Sequence, residues 1–367
     1  MDEKKHKAVH TKKKKHMSVG KMIVLDLLAI AAGLLIFALF HHVLPHYGIL
    51  RVDEGEPVVL TTLAPQPTPV PAAAPEETPD ADAPPEETPP EETPEPVRVY
   101  SGRWGEKFAD KFTDGEVIRT ENSYQSENIN VSYERFEENG VIYFVADVYV
   151  SDLGYLRSGF GNGKYNGGFQ MVDEIARQED AVAAISGDHY AGRYEGIVVR
   201  NGVLYRETRF QDVCVLLSDG TMVTMTNAEL DMDDLKAAEP YQVWCFGPEL
   251  LDDEGHALTK FNSVVLKNNP RAAIGYYEPG HYVFVEVEGS RTGYWSGSRG
   301  MSMDELAALF ESLGCKSAYN LDGGSSVGFA WMGERVSFNY NRSIPDIIYV
   351  ADFLPETDDA AGQAGEG

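Results

Sequence analysis

Residues 22–44, MIVLDLLAIAAGLLIFALFHHVL, form a run of 23 residues with one acidic side chain, Asp26, near its start. As a single helix rising about 1.5 Å per residue, such a run is long enough to cross a hydrocarbon core of roughly 30 Å. The apolar part of a cleaved leader is typically only about 7–15 residues long. Here the run is longer, and no small-x-small site follows FALFHHVLPHY. The expectation is an uncleaved, single-pass transmembrane helix at the cell membrane. The lysine-rich residues 1–21 would stay cytoplasmic, because basic flanks are retained inside. The rest of the chain, after residue 45, would be extracellular.

Charge divides the chain in the same place. Eight of the 31 basic residues and two of the 58 acidic ones lie in residues 1–21, which leaves 23 against 56, a net of −33 for the remainder. A body this acidic repels a phosphate backbone, so nucleic acid is excluded as a partner. Residues 45–97 contain PEETP three times, starting at Pro75, Pro85 and Pro90. That composition buries too little apolar surface to offset chain entropy and predicts a disordered, extended linker. About 40 such residues at roughly 3.1 Å each could reach on the order of 120 Å, which suits a tether for a head outside the membrane.

From 98 to 354 the composition becomes globular. NINVSYERF, VIYFVADVYV, AVAAIS, DVCVLLS, YQVWCFG, AAIGYYE, HYVFVEVEG, SAYNLD, GFAWM, RVSF and DIIYVADF read as strands. Two segments read as helices. FQMVDEIARQEDA is amphipathic, and SMDELAALFESLG opens on a Ser302–Glu305 capping box and closes on Gly314. Many strands and few helices predict an α+β fold, a strand-rich mixed-sheet domain, with residues 355–367 as a disordered tail. Cys214, Cys245 and Cys315 sit in apolar contexts and read as buried thiols, with a Cys214–Cys245 bridge as the alternative. No CxxC or histidine-rich spacing suggests zinc, and no cofactor is implied.

Three features could carry chemistry. The first is Asp322-Gly323-Gly324-Ser325-Ser326, which ends the strand SAYNL. Its glycines would let a ligand approach the backbone, its amides could cradle an anion, and Asp322 could handle a proton or a sugar hydroxyl. A plain hairpin turn into VGFAWMGERV is the competing reading. The second is Ser186-Gly187-Asp188-His189-Tyr190 at the end of another apolar strand, where Asp188 and His189 could do acid–base work; an Asp–His pair is also common in ordinary loops. The third is Arg271, Arg291 and Arg342 at strand edges, which could form a phosphate clamp or a set of surface ion pairs. Glu286 and Glu288 alternate on one strand, so both face the same side, and one could be a buried acid.

The ordered blocks ISGDHYAGRYEGIVVRNGVLYR, VWCFGPELLDDEG, NPRAAIGYYEPGHYVFVEVEGSR, GMSMDELAALFESLGCKSAYNLDGGSSV and NRSIPDIIYV resemble the phosphodiester glycosidase family over residues 180–352. The run Asn320-Leu321-Asp322-Gly323-Gly324 with Ser326 is the most specific part of that resemblance. Arg271, Gly275, Asp322, Gly323, Gly324 and Arg342 match its pattern directly. Ser186 stands where the family usually has Asn, His189 where it has Tyr or Phe, and Glu288-Gly-Ser-Arg291 where it has Asp-Gly-Arg. The resemblance implies a hydrolase acting on a sugar-1-phosphodiester in cell-wall or exopolysaccharide metabolism. Asp188, Asp322 and Glu288 would be the catalytic carboxylates. Arg271, Arg291, Arg342, Gly323, Gly324, Ser326, His189 and Asn320 would bind substrate and phosphate. The departing phosphate is a stable anion, so no metal is required, although the carboxylates could hold Ca²⁺. A non-catalytic binder of phosphate-containing glycans and an exopolysaccharide assembly factor are the alternatives.

Overall fold

The structure, a computed structural model, describes residues 19–38, 56–63, 100–289, 297–338 and 342–354. The chain divides into two units, Met1–Val52 and Asp53–Gly367. In the first, helix α1 (Val19–Ala38) occupies most of the run expected to span a membrane, whose end, residues 39–44, lies outside the described residues. No helix among the described residues is long and apolar enough to cross a membrane.

In the second unit the elements follow as β1 (Val58–Val59), β2 (Ile118–Arg119), β3 (Ser123–Gln125), β4 (Ile129–Glu138), β5 (Val141–Val150), β6 (Leu156–Phe160), α2 (Val172–Gln178), β7 (Ala183–Ser186), β8 (Gly196–Arg200), β9 (Val203–Thr208), β10 (Val213–Leu217) and β11 (Met222–Met225). Then come α3 (Met232–Ala237), β12 (Pro240–Trp244), β13 (Arg271–Glu278), β14 (His281–Val287), α4 (Met303–Ser312), β15 (Ser317–Asn320), β16 (Phe329–Trp331), β17 (Glu334–Arg335) and β18 (Asp346–Val350). They build three sheets, ordered β1-β9-β8-β12-β10-β11, β15-β13-β14-β5-β4-β3-β2 and β17-β16-β7-β18-β6.

One apolar core joins the inner faces of all three sheets. It includes Trp244 from the first, Phe144 and Phe284 from the second, and Ile185 and Phe329 from the third. Each outer face is covered by a helix. Leu235 of α3 packs on the first sheet, Phe310 of α4 on the second, and Ile175 of α2 on the third. Both faces being covered explains why β14 and β18 read as near-continuous apolar runs rather than alternating ones. Gly275 makes room for α4, since a Cβ there would lie 2.7 Å from the Phe310 ring.

The expected helix signals hold for α4. Ser302 Oγ accepts from the Glu305 amide, Glu305 returns the bond to the Ser302 amide, and Gly314 takes the left-handed conformation at φ 78°. The three cysteines are free and buried. Part of the expected linker, 45–97, forms a strand instead. Val58 and Val59 pair with Leu204 and Val203, and the Thr61 side chain is buried against the Pro240 carbonyl. The apolar PVVLTTL stretch gains an open strand edge there, which a reading centred on its proline-rich surroundings overlooks. The remaining linker residues and the expected tail, 355–367, lie outside the described residues.

Candidate functional site

Three strand ends meet at one place. Beyond β15, the Asp322 amide donates to the Gly187 carbonyl at 3.0 Å, and beyond β7, the Gly187 amide donates to the carbonyl of Asp346, the first residue of β18. Gly187 is required by this approach, because a Cβ would fall 2.5 Å from the Asp346 carboxyl. The sequence therefore brings the Asp322-Gly-Gly turn and the Gly187-Asp188-His189 segment side by side.

His189 takes the left-handed conformation, φ 56°, which aims its ring at Asp322. Its Nδ1 lies 3.4 Å from Asp322 Oδ2, and neither atom has a hydrogen-bond partner. The other ring nitrogen, Nε2, lies 3.0 Å from a terminal nitrogen of Arg342. A guanidinium only donates, so Nε2 accepts and the neutral ring carries its proton on Nδ1, facing Asp322. Burial, with help from Arg342 and Arg193 and against the pull of Asp322, lowers the His189 pKa. Gly192 leaves space for the ring, which a Cβ would overlap.

Asp322 is 6% exposed while Arg342 is open to solvent. No ion pair of Arg342 is found among the described residues. Gly323 packs tightly, since a Cβ would sit 2.5 Å from the Pro270 carbonyl, which also accepts from the Gly324 amide. Gly324, at φ 63°, has open space where its Cβ would be. One glycine closes the turn against β13 and the other leaves the backbone approachable. Ser326 Oγ, further round the turn, is buried without a partner. Buried polar atoms without partners are costly, so their gathering here marks a place prepared for something polar.

Asp188 is near this site but its side chain has another commitment. One oxygen accepts from the Cys245 amide at 2.9 Å and the other lies 2.9 Å from Arg200, which also makes two bonds to Asp346. All three side chains are buried. Burial opposes the ionised form of Asp188, yet Arg200, Arg193 and the Cys245 amide outweigh it and hold the carboxyl below its usual range. Burial lifts the Asp346 carboxyl to about 7 despite the same guanidinium. Asp188 thus positions β7, β8 and β18 from behind, with His189 on the next residue facing the opening.

The arginines separate. Arg342 is at the site, whereas the Arg271 guanidinium donates to the carbonyls of Met301, Val265 and Lys267. With no carboxylate paired to it among the described residues, burial lowers the Arg271 pKa to about 10. Arg291 lies outside the described residues. Asn320 is buried and donates to the Gly247 carbonyl. Glu288 accepts from the Phe338 amide at 2.9 Å and is next to Glu286 in the core between the second and third sheets. Burial raises both carboxyls, Glu286 strongly and with Glu288 adding to it. Three contributors escaped the sequence reading. Arg200 and Asp346 are charges inside the apolar strands GIVVR and DIIYV, a visible signal. Arg193 stacks between Phe210 and Phe246 with centroid distances of 5.1 and 5.3 Å, and donates to the Asp188 carbonyl.

Residues 179–351 match the family model described as phosphodiester glycosidase. The match covers just under half of the chain, and that segment is similar to the phosphodiester glycosidase family. The match starts just before β7 and ends just after β18, so it contains every side chain gathered above. Over 210 residues the chain is 29% identical to YomE, an SPbeta prophage-derived protein of Bacillus subtilis (strain 168), covering 54% of this chain and 32% of that protein. The chain thus spans about a third of that relative's length. Among solved structures, the catalytic domain of zebrafish N-acetylglucosamine-1-phosphodiester alpha-N-acetylglucosaminidase, auto-inhibited by its pro-peptide, aligns with a TM-score of 0.49 at 18% identity. That alignment covers 61% of this chain and 83% of the zebrafish one. A hypothetical protein from Synechocystis aligns with a TM-score of 0.42 at 16% identity, covering 61% and 62%.

Proposed function

We propose that this chain hydrolyses the glycosidic bond of a sugar-1-phosphodiester at the Asp322 turn. The observation that carries the reading is the line Asp322–His189–Arg342, at 3.4 and 3.0 Å, inside the segment that matches the model of this family. Arg342 supplies solvent-facing N–H groups for a phosphate oxygen, the open backbone at Gly324 admits the anion, and Arg193 adds positive charge nearby. Attack of water on the anomeric carbon breaks its bond to the phosphate oxygen. The electron pair leaves with the phosphate monoester, and Asp322 takes the proton of the attacking water. His189, fixed in one tautomer by Arg342, turns its Nδ1–H toward Asp322 Oδ2, 3.4 Å away.

In this reading residues 22–44 anchor the chain in the cell membrane and the remainder works outside, on cell-wall or exopolysaccharide material. The basic tail, the apolar run and the acidic body support that topology. A specific observation favours a second reading, a non-catalytic binder of phosphate-containing glycans. Asp188 and Glu288 both have buried partners, which leaves one carboxyl, Asp322, at the opening. Incubation with a synthetic sugar-1-phosphodiester in ¹⁸O-labelled water separates the readings. A glycosidase places the label in the released sugar. Label in the phosphate means cleavage of the P–O bond and refutes the proposed reaction, and absence of turnover with retained binding favours the binder.

A further inference from the structure

The segment between Lys260 and Pro270 exposes three consecutive aliphatic side chains, Val264 at 100%, Val265 at 46% and Leu266 at 42%. Isolated exposed aliphatics are ordinary, but a run of three on an acidic, soluble-looking surface is selected against unless something covers it. This run is held outward by the backbone beneath it. Arg271 donates to the carbonyls of Val265 and Lys267, the Met303 amide donates to the Leu266 carbonyl at 2.9 Å, and Ser263 Oγ accepts from the Val265 amide. A buried guanidinium, spent on backbone carbonyls, thereby fixes an apolar tip in the solvent. Lys260 and Lys267, both exposed, flank it in a chain whose formal charge is −27. Among nearby carboxylates, Asp212 accepts from the Asn262 side chain at 3.0 Å, Asp304 follows Met303, and Glu305 is paired with Arg299 at 2.7 Å.

We propose that Val264, Val265 and Leu266 seat in the interfacial layer of an anionic lipid bilayer, with Lys260 and Lys267 meeting its headgroups. Aliphatic residues flanked by long basic side chains suit that layer, where the stem lies along acyl chains and the ammonium reaches the phosphates. Charge complementarity disfavours a basic or neutral face, and the three aliphatic tips between the lysines favour a surface with an apolar layer beneath its anionic groups over an acidic protein face. The same segment ends on Pro270, whose carbonyl accepts from the Gly324 amide, so the seated tip holds the Asp322 turn next to the bilayer surface. Resting on the proposed hydrolysis, this makes the substrate a sugar phosphate carried by a membrane lipid rather than one free in solution.

The test uses the full chain in vesicles, since the buried Cys214, Cys245 and Cys315 leave an introduced thiol as the one to label. An environment-sensitive fluorophore on Val264→Cys is compared with one on Glu116→Cys, an exposed position elsewhere on the head. In vesicles of phosphatidylcholine with about a quarter phosphatidylglycerol, the label at 264 is expected to shift blue and to be quenched severalfold by nitroxide-bearing lipids, and the label at 116 is not. Lys260→Glu with Lys267→Glu should abolish that quenching. Equal access of aqueous iodide to both labels in these vesicles overturns the proposal, as does quenching that survives both lysine changes. Hydrolysis of a soluble sugar-1-phosphodiester by the same preparations is read separately. The lysine variants should keep that activity while losing turnover of a vesicle-embedded lipid-linked substrate, so the seating and the chemistry can fail independently.

Discussion

Arg200→Met tests the buried framework behind the site. The wild-type guanidinium makes two bonds to Asp346, lies 2.9 Å from Asp188, and donates to the carbonyls of Val199 and Val243. Methionine fills comparable space but leaves two carboxyls buried together. Breaking a buried ion pair by removing one partner costs about 3–5 kcal/mol. Against a total stability of about 5–15 kcal/mol, that is a large fraction. With a urea m value of about 3 kcal/mol/M, the midpoint should fall by roughly 1–1.7 M. Without the arginine, both carboxyls are raised above their unfolded pKa values. The folded variant then binds more protons than the unfolded one, so its stability declines as pH rises above about 4. The gap from wild type should therefore widen between pH 5 and pH 8, and Asp346→Asn in the same background should recover part of it. Urea titration followed by tryptophan fluorescence measures all three effects. A cost below about 1 kcal/mol, or one independent of pH, would refute the account of this framework.

Arg342→Ala should weaken binding of a sugar phosphodiester by about 1.5–3 kcal/mol, roughly 10- to 150-fold, and Arg342→Lys should restore only part because the planar fork is lost; isothermal titration measures both. His189 has a lowered pKa, so it stays neutral below its usual 6.5 before taking a proton on Nε2 and repelling Arg342. The wild-type rate should accordingly hold to below pH 6.5 and then fall in acid, and His189→Gln should remove that acid limb; a pH–rate profile decides. Glu286 is 1% exposed, and burial, with Glu288 adding to it and Ser337 opposing it, raises the carboxyl well above its usual pKa. A raised carboxyl costs stability as pH rises above its unfolded value of about 4.3, so Glu286→Gln should gain thermal stability over wild type progressively from pH 5 to pH 9.

What could be read from the sequence was what depends on local chemistry. The Ser302–Glu305 box, the Gly314 exit and the strand ending on Asp322 each carry their signal within a few residues, and all appear in the structure. The same-face placement of Glu286 and Glu288 follows from strand period alone. Partnerships set by register across distant strands were not visible. Asp188 and Arg271 have the residue types of a site, yet their side chains are directed by Arg200 and by the carbonyls near Val265. Nothing near position 188 in the sequence announces position 346. His189 was legible as a titratable neighbour of Asp188, but its useful partner is Asp322, across the meeting of β7 and β15. The Val58–Val59 strand was hidden by the proline-rich composition around it.

The account depends most directly on Asp322 acting on the attacking water rather than merely closing a turn. The decisive measurement is the rate of sugar release from a sugar-1-phosphodiester by wild type and Asp322→Asn, with binding of the same compound measured on both proteins. Asparagine keeps the shape of the turn and its backbone bond to Gly187 but cannot accept the proton. The expected result is intact folding, binding within a few-fold of wild type, and turnover lower by about 10²–10⁴-fold, the range that general acid–base catalysis contributes. Equal turnover by the two proteins would contradict the account and make the Asp-Gly-Gly-Ser turn a structural feature.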